Sequence, residues 1–196
     1  MKLHTYLYLF VFFLSFNESA AQTNNVTYDE AINIAVEKKY PEYFSALLKT
    51  LDDFEQELIV KSVITDGIYK NYTNLLKEIS KDSTYAIVSD YALGDSLKSI
   101  AKRHNYELAK TLKTVPLIHF RNKAQPKSIL FNQRVSEITA KKGGFSRSDY
   151  ASLLLEVYDE EDYQQPTIRT QLFRFLDPNT DYLLYFYVGK PTSTNN

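Results

Sequence analysis

Apolar residues recur along most of the chain at intervals of three and four, the spacing that puts them on one face of a helix. Thr27 and Glu30 make a capping box ahead of a first helix, with Ala31, Ile34 and Ala35 on its apolar face. Pro41 opens a second helix, whose stripe is Phe44, Leu47, Leu48 and Leu51, extended by Phe54 and Leu58. Gly67 reads as a stop. A third stripe of Ile68, Tyr72, Leu75, Leu76 and Ile79 ends at Ser80-Lys81-Asp82. After Gly94 and a cap at Asp95, the residues Leu97, Ile100, Ala101, His104 and Leu108 share one helical face. A further helix runs from about Lys127 to Lys141 and closes at Gly143-Gly144. Ser146 and Asp149 cap the next, which aligns Tyr150, Leu153, Leu154 and Val157. Pro166 opens the last, bearing Ile168, Leu172, Phe175 and Leu176.

Two or three segments depart from this period. Tyr85 to Tyr91 fits a short strand or a short helix. Val115 to Phe120 is β-branched and aromatic, which suits a strand, and a polar loop to Pro126 follows it. Asp177-Pro178-Asn179-Thr180 is a turn. Beyond it Asp181 to Val188, dense in Tyr, Phe and Leu, reads as a buried strand or a core-covering tail. The expected fold is therefore mainly α: a single helical domain of about seven helices with two or three short strands, one of them C-terminal. No repeat of fixed period is visible, and no linker divides the chain.

The amino-terminal residues follow a different logic. Lys2, an apolar run from Tyr6 to Phe16, and Ser19-Ala20-Ala21 have the order of a cleavable signal peptide. The run is about half the roughly 20 residues that span a bilayer. The expected organisation is a signal peptide over 1–21, a globular domain over 22–190 and a disordered tail over 191–196. The mature chain is then soluble, without a transmembrane segment, and periplasmic or extracellular. The chain has no cysteine, so disulfides, thiol catalysis and zinc–thiolate sites are excluded.

Charge is unevenly laid out beneath a net charge of −1. Between Lys98 and Arg147 twelve Lys or Arg face only Glu107 and Glu137, a net of +10. Residues 22–97 carry seven cations against thirteen acids, and residues from Ser148 onward three against eight. Such a basic segment suits an anionic ligand or another protein, unless its cations pair with the acidic flanks. Nucleic acid is disfavoured, because an exported, nearly neutral chain lacks long-range attraction for phosphates.

Within the segment a histidine sits beside an arginine twice, at Arg103-His104 and at His119-Phe120-Arg121. The candidate binding residues are Lys102, Arg103, His104, His119, Arg121 and Lys123, since guanidinium groups can hold a phosphate or carboxylate bidentately. The acidic clusters Asp52, Asp53, Glu55, Glu57 and Asp159 to Asp162 lack the alternating ligands and glycine of a calcium loop and read as solvated faces. No nucleophile-elbow, zinc-protease or phosphate-loop string occurs, and no cofactor is implied. The expected function is an exported, non-enzymatic binding or structural module whose basic segment meets an anionic partner. The alternative is a small exported hydrolase using His104 or His119 with a carboxylate. A third reading is a subunit of an assembly that exposes an apolar face on Tyr182 to Val188.

Overall fold

The computed structural model describes residues 26–82, 84–115, 120 and 125–179. Nine helices occur among these residues: α1 (Tyr28–Lys39), α2 (Pro41–Val60), α3 (Tyr69–Lys81), α4 (Leu93–Arg103), α5 (Leu108–Leu112), α6 (Lys127–Lys142), α7 (Arg147–Val157), α8 (Glu160–Tyr163) and α9 (Pro166–Leu176). The fold is mainly helical, as the periodicity implies. The two helices beyond the expected seven are the short α5 and α8.

No strand occurs among the described residues. Tyr85 to Tyr91 forms neither a strand nor a helix. Ile87 and Ser89 are buried there while Val88 is 63% exposed, so the side chains alternate as in a strand. No strand among the described residues pairs with it, and it remains an extended link. It is tied instead to α2, where Lys61 lies 2.5 Å from Asp90 and Glu57 accepts from the Asp90 N–H. The expected signal peptide, most of the expected strand at Val115 to Phe120, the C-terminal strand at Asp181 to Val188 and the tail lie outside the described residues.

Local chemistry sets the helix ends. Thr27 and Glu30 form the capping box of α1, and Ser146 and Asp149 that of α7. Asp159 caps the one-turn α8 in the same way, so the acidic run over 159–162 starts a helix. Pro41 and Pro166 occupy first positions, where their missing N–H costs nothing. Gly143 ends α6 at φ 73°, the left-handed region that glycine enters without steric cost.

Three expectations about helix extent need correction. Gly67 does not stop α2, which ends at Val60 with Ser62 at φ 57° just beyond. Asp95 does not cap α4; it lies inside the first turn, after the cap at Ala92. Leu108 does not continue the α4 face, because Asn105 turns to φ 51° and breaks the helix just after its C-cap His104, leaving Leu108 on α5 and 51% exposed. On α1 the buried face is Asp29, Ile32, Asn33 and Val36, one step out of phase with the apolar residues expected there.

α2 is the longest helix, and it packs against α1, α4 and α9, while α7 lies across α3 and beside α6. Phe54, Phe131, Phe173 and Phe175 are fully buried at the centre. Truncating one to alanine would cost about 3–5 kcal/mol, a large part of a domain's net stability of about 5–15 kcal/mol. A cysteine-free chain thus has a core large enough to hold it together. No described helix is long and apolar enough to cross a membrane.

Candidate functional site

The basic segment is partly neutralised within the fold. Lys98 pairs with Asp95, Lys127 with Asp159 and Asp162, Arg134 with Glu137 and Glu156, and Lys142 with Asp149. Lys102 and Arg103 occupy the last turn of α4, where cations favour the helix dipole. Both are exposed, and neither forms an ion pair among the described residues. His104 caps the C-terminus of α4; its Nδ1 lies 3.5 Å from Glu42 Oε2. The histidine side chain is 19% exposed and that of Glu42 88%. His104 is not among the described residues that line the groove beside it. His119, Arg121 and Lys123 lie outside the described residues. Of the six expected binding residues, the structure thus brings together Lys102, Arg103 and His104 at one helix end.

A groove of about 580 Å³ opens beside that helix end. Its apolar wall comes from Val36 of α1, Tyr43, Phe44 and Leu47 of α2, and Leu97 and Ala101 of α4. Tyr106 and Leu108 close one side, and Asn33, Asn132, Thr167, Thr170 and Gln171 supply neutral polar groups opposite. Among the described lining residues two are ionised, Lys98 of α4 and Arg174 of α9, and none is an acid. The α4 phase explains the first: Leu97 and Ala101 turn inward at i, i+4, and Lys98 stands beside them at the edge. Lys102 follows Lys98 at the next turn of the same face. Because the Lys98–Asp95 pair is solvent-exposed at 3.3 Å, it holds the ammonium only weakly.

Aromatic packing shapes the opening. Tyr43 and Tyr106 are stacked, and Tyr40 meets Tyr106 edge to face with centroids 5.3 Å apart. Burial pushes the Tyr43 phenol up, the neighbouring Tyr106 adds to the rise, and the positive charge of Arg174 pulls against it. Gln171 is oriented by the Tyr158 hydroxyl, which donates to its Oε1 at 3.0 Å.

A second polar cluster joins α2, α3 and α9. Arg169 reaches Asp52 at 2.8 Å and Glu55 at 3.1 Å, while the Tyr72 hydroxyl donates to the other Glu55 oxygen. The guanidinium also lies over the Phe173 ring at 5.1 Å. Every charge in this cluster has its partner, so its role is to clamp the three helices.

Neither Arg174 nor Asn33 stands out in the sequence. The available signal was phase: Arg174 interrupts the buried run Leu172, Phe173, Phe175 and Leu176, and Asn33 lies between Ile32 and Val36 on the inward face. No protein-family model, curated protein or solved structure matches this chain.

Proposed function

We propose that the protein is an exported, non-enzymatic binding module whose groove receives an anionic ligand with an apolar body. The observation that carries this reading is the ammonium of Lys98 at the edge of a groove whose other described lining residues, Arg174 apart, are apolar or neutral. Apolar surface supplies affinity, and a few placed polar or charged groups orient the ligand. Lys102 and Arg103 extend the positive charge along the rim, and the proposed surface includes His104, His119, Arg121 and Lys123. The signal peptide over 1–21, release outside the cytoplasm and the short strands at 115–120 and 181–188 belong to the same reading. The hydrolase alternative draws no support from His104, whose carboxylate neighbour among the described residues, Glu42, is solvent-exposed.

The test is a fluorescence titration with two probes of similar size, anionic 1-anilinonaphthalene-8-sulfonate and neutral N-phenyl-1-naphthylamine. The anionic probe binds saturably and more tightly, and its affinity falls with added salt and in Lys98→Glu and Lys102→Glu. Equal affinity for both probes, or indifference to salt and to these substitutions, overturns the electrostatic part of the reading. Amino-terminal sequencing of the native product tests export, with Gln22 expected as the first residue.

A further inference from the structure

A separate cleft of about 1130 Å³ lies where the start of α1, the start of α6 and the junction of α8 with α9 meet. Its chemistry is opposite to that of the groove. Asn33 Oδ1 and Gln165 Oε1 are both buried and accept no hydrogen bond. The orientation of the Asn33 amide is fixed, because its Nδ2 donates to the Asp29 carbonyl at 3.1 Å and to Thr167 Oγ1 at 3.2 Å. A backbone carbonyl cannot donate, so a flipped amide would set two acceptors against each other. Asn33 is only 9% exposed, and buried polar atoms are ordinarily paired. An orphaned acceptor on a cavity wall calls for a donor from a ligand.

Asp29, a turn before Asn33 on the same face, is 6% exposed and has no ion-pair partner among the described residues. It accepts one long hydrogen bond, from the Ser128 N–H at 3.4 Å. The nearby Lys127 does not serve it, since its ammonium is engaged by Asp159 at 2.7 Å and Asp162 at 2.5 Å. Buried carboxylates are rare without a partner. Asp29, Asn33 and Gln165 thus line one cleft with a carboxylate and with two amide oxygens that lie just beneath its wall and lack a donor. A metal ion is a poor match, because no three His, Cys, Asp or Glu side chains among the described residues converge on one point. An ion that brings its own N–H donors is a good one.

We propose that this cleft binds the protonated primary amine of a small molecule, with Asp29 supplying the charge and the amide oxygens of Asn33 and Gln165 accepting its hydrogen bonds. Gln165 borders this cleft and not the groove, so it separates the two sites. The distinguishing feature of the ligand is donation, not charge alone.

The experiment is calorimetric titration of the purified protein with n-butylammonium and, in parallel, with tetramethylammonium, which carries the charge but no N–H. Butylammonium binds saturably at one site, and tetramethylammonium binds at least tenfold more weakly. Asp29→Asn and Gln165→Met each lower butylammonium affinity at least fivefold. A folded Gln165→Met protein keeps its affinity for 1-anilinonaphthalene-8-sulfonate, which reports the groove. The absence of butylammonium binding, equal binding of the two cations, full affinity in both variants, or displacement of the anionic probe by butylammonium would each overturn the assignment.

Discussion

The rings of Tyr43 and Tyr106 lie parallel within 9°, their centroids 3.9 Å apart. This stack fastens the loop that follows α4 to the first turn of α2 and so forms one side of the groove. Stacked aromatics contribute about 0.5–1.5 kcal/mol beyond the area they bury. Tyr106→Ala is expected to lower unfolding free energy by about 1–3 kcal/mol and to weaken anionic-probe binding, whereas Tyr106→Phe leaves both nearly unchanged. Urea denaturation reads the first effect. If phenylalanine costs as much as alanine, the hydroxyl and not the ring is what matters.

Gly67 is required by its neighbour, not by its backbone. A Cβ built there would stand 2.7 Å from Glu55 Oε2, the oxygen that meets Arg169. Gly67→Ala is therefore expected to push the carboxylate off Arg169 and Tyr72, costing about 1–2 kcal/mol. In a Glu55→Ala background the same substitution costs little, since the atom it collides with is gone. Equal costs in the two backgrounds, measured as a double-mutant cycle, would disprove the mechanism.

At Gly143 the situation is reversed. A Cβ there meets no atom within 4 Å, yet the residue holds φ +73°. Gly143→Ala is expected to cost about 1–2 kcal/mol through backbone strain alone, and Gly143→Asn less. Gly144, also in open space but without that torsion, accepts alanine at little cost. Thermal melts of the three variants give the ranking. A Gly144→Ala protein as unstable as Gly143→Ala would place the strain elsewhere.

Acid should loosen the N-terminus of α7. Burial raises the Asp149 carboxyl, but hydrogen bonds from the Lys142 ammonium and from the side chain and backbone of Ser146 outweigh it and hold its pKa at about 2. An unfolded aspartate titrates near 3.9, so this contribution to stability is complete above about pH 4 and is lost as pH falls towards 2. Asp149→Asn is expected to be less stable than the parent at pH 6, with the difference shrinking by pH 2. Melting temperatures across that range test it. A gap that stays constant with pH would mean that the carboxylate is not the group responsible.

Much of the helical layout could be read from the chain because it depends on local rules. The α2 stripe of Leu47, Leu51, Phe54 and Leu58 is apolar and in phase, and the caps at Thr27 and Ser146 are short-range chemistry. What escaped depends on tertiary context. Asp29 and Asn33 occupy an inward face that apolar counting assigns to Ile34, which is 53% exposed. Leu108 falls at the helical spacing of the α4 face, but a left-handed Asn105 intervenes. The same gap applies to function. The basic segment was visible as a count, yet Lys98 meets Arg174 in one groove only because α4 packs against α9. No spacing in the sequence records that meeting.

A single residue, Tyr40, separates α1 from α2, and Pro41 fixes the torsion immediately after it. The Tyr40 N–H still donates to Val36, and the Phe44 N–H to Tyr40, so a hydrogen bond holds the chain on either side of the position where Pro41 has no N–H to give. The two helices therefore behave as one angled bracket, not as doors on a hinge. On the proposed reading, a guest entering beside Val36 and Tyr43 meets a wall whose shape was settled during folding, and the conformational entropy lost on docking falls on the guest.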